Sequence, residues 1–385
     1  MKIAILGTRG IPNNYGGFEQ FAEYLSKYLV QKGHRVYVYN SHNHPYKNDN
    51  WNGINIIHKF DPENKIGTAG QFVYDLNCII DSRKRNFDII LQLGYTSSSI
   101  WGRLLPRNAK IVTNMDGLEW KRSKYSKPVQ KFLLYAERLG VTFSDQLISD
   151  SIGIQKYLKN KYNAHSNYIP YGSHVVNEFS EDIINEYNLK PYNYSLLIAR
   201  LEPENSIEPI LDGYVLSKSD CLFLIIGDHQ TKYGQYLKEK YKSIRNIKFL
   251  GGIYDINKLN SLRHYANIYF HGHTVGGTNP SLLEAMGSGA LICANDNLFN
   301  RSILGDDALY FSEKEDVTHH LSLKTVENRE VMVSSNINKI EKLYNWDLIV
   351  SQYESVFYSL LHKHIRSFDR VPVPLIRYSK TGVAL

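Results

Sequence analysis

The 385-residue sequence lacks the cysteines and the long apolar runs that would place it in several common protein classes. Its three cysteines, Cys78, Cys221 and Cys293, are an odd number at wide spacings, which fits neither a disulfide framework nor a metal knuckle. No apolar run approaches the roughly 20 residues that span a bilayer, and the apolar stretch after Met1 is too short for a signal peptide. These absences predict a soluble cytoplasmic protein with buried, reduced cysteines.

The net charge is small, +7, and most of it falls in two segments. Residues 121–138 carry a net +5 and residues 362–385 a net +4, so the remainder is near neutral at −2. Localised positive charge predicts anionic partners, either phosphates or an anionic membrane surface. For 121–138, an ordinary solvated helix with one buried face is an equal alternative. Nucleic acid is not expected as a partner, because no nucleic-acid-binding motif accompanies the charge.

The first forty residues alternate between a strand period and a helix period. KIAIL (2–6) is a short apolar run that ends at Gly7, helical spacing continues to Gly33, and RVYVYN then indicates a second strand. Further apolar runs continue this alternation, and the whole pattern restarts near residue 194. Two successive runs of alternating strands and helices predict an α/β protein with two Rossmann-like, doubly wound parallel sheets that face a central cleft.

The same alternation predicts the domain boundaries. We expect an N-terminal domain over residues 1–175 and a C-terminal domain over 190–345, with the hinge inside 170–193. A late helix at about 346–363 is expected to pack back on the first domain, and 364–385 is a basic tail.

Ligands of open parallel sheets bind at the carboxyl ends of the strands, so the loops that follow predicted strands are the candidate sites. Gly16 and Gly17 directly precede the first helix, where backbone N–H groups can approach a diphosphate. The alternative is that they only shape a long turn. Their spacing from Gly7 and Gly10 is not GxGxxG, which argues against a nicotinamide cofactor.

Two charged residues follow other predicted strands. Arg200, in ARLEPEN, has a forked cationic side chain suited to a diphosphate, and its alternative role is a salt bridge to Glu202 or Glu204. Asp116, in NMDGLEW, could act on a hydroxyl group, orient a ligand or cap a turn.

The segment HGHTVGGTNPSLLEAMGSGAL (271–291) contains the remaining candidates. His271 and His273 have no further ligand at suitable local spacing, so we expect no metal and interpret neutral histidines as contacts for phosphate or hydroxyl groups. Asn279 is a good N-cap and Pro280 suits the first helical position. Glu284 lies two positions beyond N3, where a capping box places its acid, so its carboxylate is available for another role.

Together, the Gly-Gly loop, NMDGLEWKR, SDSIGIQKYL, ARLEPEN and the NPSLLEAM helix resemble the retaining GT-B glycosyltransferases of glycosyltransferase family four. They are most similar to the bacterial rhamnosyltransferase-type branch, whose members build capsule and O-antigen chains. The resemblance covers roughly residues 1–345.

The resemblance implies an acceptor-side first domain, a nucleotide-sugar-binding second domain, and three catalytic residues, Arg200, Glu284 and Asp116. Glu284 would accept hydrogen bonds from the donor ribose, Arg200 would hold the diphosphate, and Gly16 and Gly17 would lie near the phosphates. The remaining donor-binding positions that it implies are Ile253, Tyr254, His273, Gly276, Gly277, Thr278, Asn279, Ser281 and Leu283. No metal and no cofactor besides the co-substrate are expected.

The sequence departs from the family pattern at three places. The family usually has a Glu at the position of Gly276 and a Lys at the position of Asn205, and a catalytic His near Met115 is absent here. Donor-sugar contacts would then come from backbone groups of 275–279, and Asp116 is the nearest polar candidate to replace the histidine.

The implied reaction is transfer of a deoxyhexose, rhamnose from dTDP-rhamnose, to a lipid-linked oligosaccharide with retention, at the inner face of the plasma membrane. Replacing Arg200 or Glu284 with Ala is expected to abolish transfer and leave folding intact. Three alternatives stay open: a GT-B nucleotide-sugar epimerase, a non-catalytic nucleotide-sugar-binding partner in an assembly complex, and a nicotinamide dehydrogenase.

Overall fold

The computed structural model describes residues 1–14, 16–122, 125–323 and 325–362. Within them, two sheets form the centres of two domains. The predicted basic tail, 364–385, lies outside the described residues, as do two positions of the basic segment 121–138.

We call the eight-stranded sheet and the helices that pack on it the first domain. The strand order is β3-β4-β2-β1-β5-β6-β7-β8, parallel except for the β3–β4 pair. The strands are β1 (Lys2–Leu6), β2 (Arg35–Ser41), β3 (Asn50–Trp51), β4 (Ile54–Lys59), β5 (Ile89–Leu93), β6 (Lys110–Asn114), β7 (Gln146–Ser149) and β8 (Ser166–Tyr168). The helices are α1 (Gly17–Gln31), α2 (Glu63–Ile66), α3 (Ala69–Ser82), α4 (Lys127–Thr142) and α5 (Ile152–Tyr162).

The second domain is a six-stranded parallel sheet in the order β11-β10-β9-β12-β13-β14. Its strands are β9 (Tyr194–Ile198), β10 (Leu222–Ile226), β11 (Ile247–Gly251), β12 (Ile268–His271), β13 (Ile292–Asn295) and β14 (Leu309–Phe311). The helices from the domain connection onward are α6 (Glu181–Asn185), α7 (Ile207–Ser217), α8 (Lys232–Lys240), α9 (Ile256–His264), α10 (Pro280–Gly287), α11 (Leu298–Leu304), α12 (Lys314–Ser322), α13 (Arg329–Leu343) and α14 (Trp346–Leu361).

The central strands are buried on both faces, which explains their continuous apolar runs. Every residue of β5 is buried, and β1 is buried from Ile3 to Leu6. Helices that cover both faces of a parallel sheet require such runs, because neither face meets water. The prediction of two doubly wound parallel sheets is therefore confirmed.

Helix α14 follows the second sheet in sequence and packs against α1 of the first domain. The Trp346 ring stacks on Tyr24 at 4.8 Å between centroids, and Phe21 contacts both Trp346 and Tyr353. The Tyr353 hydroxyl also accepts a 3.1 Å hydrogen bond from the side chain of Asn114, at the end of β6. These contacts connect the last described helix to the strand ends of the first sheet.

The structure differs from the sequence-based prediction in small elements. The short strands β3, β8, β13 and β14 were not predicted. β3, β8 and β14 have only two or three residues, which carry too little periodicity, whereas β13 has four, as many as the predicted β7. Cys221 is only partly buried, whereas Cys78 and Cys293 are buried as predicted. No helix among the described residues is both long and apolar enough to span a bilayer.

Candidate functional site

Loops that follow strands of the first sheet contact loops and helix starts of the second domain along one line, which we call the seam. At one end, Arg122 of the first domain approaches Glu204 of the second, with Nη1 and Oε1 3.5 Å apart. At the other end, the Gln20 side-chain amide donates a 2.7 Å hydrogen bond to Glu284 Oε1. The segment from residue 273 to residue 284 extends between these two contacts.

Glu284 lies in α10 with both carboxylate oxygens engaged. Besides the bond from Gln20, Oε2 accepts from Arg263 Nη2 at 2.5 Å, and the Arg263 side chain is only 1% exposed. Arg263 also donates to Asn260 Oδ1 at 3.1 Å and to Ser281 Oγ at 3.3 Å. Glu284 therefore neutralises a buried guanidinium, a role that its position in the sequence did not reveal.

A narrow cavity of about 40 Å³ opens beside Glu284 at the seam. Its lining includes Gln20 and Tyr24 of α1, His174 of the domain connection, and Trp346 of α14. Such a volume accommodates water but not a nucleotide. The carboxylate thus faces a narrow space between the domains in this conformation.

The N-termini of α1 and α10 meet at the middle of the seam. A Cβ built on Gly17 would lie 3.7 Å from Cγ of Pro280, which begins α10. Helix α1 has Gly16 as its N-cap and therefore no side-chain cap, whereas the Asn279 side chain accepts from Ser281 N at 2.9 Å and caps α10 as predicted. Two positive helix ends at one place favour an anion there.

The glycine loop before α10 fits tightly against the first domain. A Cβ on Gly117 would lie 3.1 Å from Cα of Gly276, and a Cβ on Gly277 would lie 1.9 Å from Asp150 Oδ1. Gly276 also has a φ of +130°, which favours glycine. Among the described residues, the backbone N–H groups of Gly276 and Gly277 have no hydrogen-bond partner, so this loop presents free donors.

The Arg200 side chain is exposed, and among the residues that the structure describes only the backbone of this residue forms hydrogen bonds within its loop. Its carbonyl oxygen accepts from the Asn205 side chain at 2.7 Å and from Glu202 N at 2.9 Å. Within the described part of the chain its guanidinium makes no ion pair, so the salt bridge to Glu202 or Glu204 weighed from the sequence is not formed. The guanidinium is therefore available to a ligand.

Two carboxyl groups lie at neighbouring strand ends of the first sheet, Asp116 after β6 and Asp150 after β7. Burial and the nearby Glu119 carboxylate raise the pKa of Asp116 to about 6, although Arg122 and Arg200 oppose this shift. Burial, followed by repulsion from Asp116, raises the pKa of Asp150 well above its usual value.

Asp150 also joins the two domains. Its Oδ2 accepts from Thr278 N at 3.1 Å, and its backbone carbonyl accepts a hydrogen bond from the Thr278 hydroxyl. Its other carboxyl oxygen, Oδ1, is buried without a partner in the described part of the chain. Thr278 therefore contacts the first domain through both its backbone and its side chain.

The histidine pair at the end of β12 is neutral. The His271 and His273 rings stack at 4.4 Å, and burial lowers the pKa of both. For His273, the charges of Arg200 and Arg122 lower it further, to about 3. In the described residues no three His, Cys, Asp or Glu side chains cluster in a way that could hold a metal ion.

The other positions expected from the resemblance have mixed accessibility. Tyr254 is 80% exposed, whereas Ile253, just after the end of β11, is partly buried and packs against the core. Ile256, two residues further on, lines the seam cavity. The Ser281 hydroxyl shares a 2.8 Å hydrogen bond with the Tyr269 hydroxyl. Leu283 is fully buried in the core and its N–H bonds Asn279 O at 3.2 Å, so it presents neither a side chain nor a free N–H in this conformation.

Sequence reasoning missed Gln20, Arg263, Asp150 and Arg122. Three of them act across long sequence separations, such as the 264 residues between Gln20 and Glu284, which periodicity cannot reveal. Arg263 did leave a signal, because it occupies an apolar-face position of α9, four residues after Leu259. A cation at such a position requires a buried anionic partner.

Two family models match successive parts of the chain. Residues 1–174 match the model described as Domain of unknown function (DUF1972). Residues 179–332 match the model described as Glycosyl transferases group 1. A comparison with curated proteins gave no match.

Several solved structures share the fold over nearly their whole length. Sucrose-phosphate synthase from Thermosynechococcus elongatus has a TM-score of 0.75 at 16% identity, over 93% of this chain and 98% of that one. Anabaena Alr3699/HepE in complex with UDP and glucose has a TM-score of 0.72 at 15% identity, over 93% and 100% of the two chains. At this identity the likeness shows the fold alone, and the GT-B architecture is confirmed.

Proposed function

We propose that this chain, a glycosyltransferase with a group 1 domain in a GT-B fold, transfers a sugar from a nucleotide-sugar donor bound at the seam. The observation that carries the proposal is the meeting of the α1 and α10 N-termini beside the free N–H groups of Gly276 and Gly277. Helix ends and unpaired backbone donors suit a diphosphate. HepE, which shares the fold, is described in complex with UDP and glucose.

In the proposed complex, Arg200 binds the diphosphate and the glycine loop binds phosphate or sugar oxygens. Glu284 accepts hydrogen bonds from the ribose after Gln20 releases it, and Tyr254 lies towards the base. Because the cavity beside Glu284 holds only about 40 Å³, donor binding requires the domains to separate there. Reclosure then excludes water and limits hydrolysis of the donor.

The chemistry needs stabilisation of charge on both sides of the breaking bond. The diphosphate gains negative charge as the bond to the anomeric carbon breaks, and the sugar develops oxocarbenium character. The Arg200 guanidinium and fixed backbone donors are preorganised for the diphosphate, and loss of one such donor costs on the order of 3 kcal/mol. Asp116, with a pKa of about 6, is the proposed polar group near the acceptor hydroxyl.

The finer assignment depends on the sequence motifs. We propose rhamnose from dTDP-rhamnose as the donor sugar, retention of configuration with same-face attack, and a lipid-linked oligosaccharide of capsule or O-antigen synthesis as the acceptor. A lipid-linked acceptor fits the outward face of α4, where Val129, Phe132 and Tyr135 are exposed among Lys127 and Lys131. That combination suits an anionic membrane surface.

The test is a donor screen with purified protein followed by a transfer assay. We expect dTDP-rhamnose to raise the unfolding temperature, since binding to the native state alone stabilises by about 2.7 kcal/mol at a hundredfold excess over Kd. Arg200→Ala is expected to lose transfer, whereas Arg245→Ala, an exposed arginine of the same domain, keeps it. Near-normal transfer by Arg200→Ala would contradict the proposal.

A second candidate is a nucleotide-sugar-binding partner without catalysis. The observation that favours it is the full engagement of both Glu284 oxygens by Gln20 and Arg263. The same assays separate the two candidates, because such a partner would bind the donor and transfer nothing to any acceptor.

A further inference from the structure

Arg122 reaches the seam from the first domain and contacts both sides of it. It follows the short helical turn Glu119–Lys121, and its side chain is 15% exposed. Its Nε and Nη2 lie 2.7 Å from Glu119 Oε1 of its own domain, and its Nη1 lies 3.5 Å from Glu204 Oε1 of the second. The guanidinium is therefore fixed in place by its own domain and faces the other.

The contact with Glu204 is incomplete. Arginine–carboxylate pairs are frequently bidentate, with two parallel hydrogen bonds at about 2.7–2.9 Å. Here one long contact is made, and Glu204 Oε2 is buried without a partner among the described residues. A guanidinium has five N–H donors, so Arg122 keeps donors that its two carboxylate neighbours do not use.

Arg122 also shares its surroundings with Arg200. Burial is the largest cause of the lowered pKa of His273, and both guanidinium groups lower it further. Both also oppose the raised pKa of Asp116. Glu204, which Arg122 approaches, accepts through its backbone carbonyl from Thr274 N and Oγ1, next to the glycine loop. Two permanent cations from different domains thus lie at the same end of the seam.

We infer that Arg122 binds a phosphate of the donor from the first domain, opposite Arg200 of the second, through the N–H groups that Glu119 and Glu204 leave free. This inference rests on the proposed function, and it makes the diphosphate a bridge between the domains. A nucleoside monophosphate, with one phosphate fewer, would lose most of that bridge.

The experiment measures Kd of the full chain for dTDP, dTMP, UDP and UMP. For whichever base binds better, the wild-type protein is expected to bind the nucleoside diphosphate at least tenfold more tightly than the monophosphate. Arg122→Ala and Arg122→Gln should reduce that preference at least fivefold, and Arg122→Lys should restore part of it. The matched control is Arg138→Ala, an exposed arginine of α4 whose loss should leave the preference unchanged.

The possible outcomes test the inference about Arg122 and the proposed function separately. Equal weakening of monophosphate and diphosphate by all three Arg122 variants indicates a structural role at the seam and overturns the inference. An unchanged preference in these variants, with Arg200→Ala losing diphosphate binding, also overturns it and leaves the proposed function intact. A wild-type chain that binds none of the four nucleotides overturns both.

Discussion

Replacing Glu284 with alanine is expected to destabilise the second domain as well as to abolish transfer. The carboxylate is the anionic partner of Arg263, whose side chain is 1% exposed, at 2.5 Å. Without it, the guanidinium keeps only the neutral oxygens of Asn260 and Ser281 as acceptors. The structure thus revises the expectation from sequence that Glu284→Ala leaves folding intact.

The magnitude follows from the cost of an uncompensated buried charge. Removal of one partner of a buried ion pair costs about 3–5 kcal/mol, and the two remaining acceptors favour the lower value, about 3 kcal/mol. At about 2–4 °C per kcal/mol for a domain of this size, the unfolding temperature should fall by roughly 6–12 °C.

The assay is thermal unfolding of three variants beside the wild-type protein. Glu341→Ala, which removes an exposed carboxylate of α13, is the control and should change the unfolding temperature little. Arg263→Met combined with Glu284→Leu removes both charges and should recover most of the loss, because apolar replacement of a buried pair is often neutral. If Glu284→Ala unfolds at the wild-type temperature, the Arg263–Glu284 ion pair contributes nothing to the free energy of unfolding and the reasoning is refuted.

Three further predictions concern other parts of the seam. The raised pKa of Asp116, about 6, adds stability below its usual 3.8 that is lost as pH rises through about 6. Asp116→Asn should therefore flatten the decline in unfolding temperature over that range, and an unchanged decline would contradict the assignment. Gly277→Ala should reduce transfer at least tenfold, since the added Cβ would lie 1.9 Å from Asp150 Oδ1. A Gly277→Ala variant with the kcat/KM of the wild-type protein would contradict the close contact between this loop and the first domain. Trp346→Ala should cost about 3–5 kcal/mol of stability in chemical unfolding, because the ring is buried against Phe21.

The fold was predictable because apolar runs and helical spacing are local properties. Gly7 after β1 and the Asn279–Pro280 start of α10 are stop and start signals that can be recognised in a single sequence. The loops that follow the strands were also predictable as the place where the candidate residues meet, since parallel sheets bring their carboxyl ends to one edge.

The partners within the site were not predictable from the same signals. Neither the Gln20–Glu284 bond nor the Asp150–Thr278 contacts, 128 residues apart in sequence, have a local signature, because they depend on how two domains meet. The sequence identified Glu284 as a carboxylate with an additional role. It did not reveal that a buried arginine already uses that carboxylate.

The central claim is that the seam binds a diphosphate between Arg200 and the glycine loop that precedes α10. The most direct measurement is a crystal structure of the chain grown with dTDP or UDP. We predict phosphate oxygens at about 3 Å from the Arg200 guanidinium and from the N–H groups of Gly276 and Gly277. A diphosphate bound away from the seam, with Arg200 still in solvent, would contradict the account.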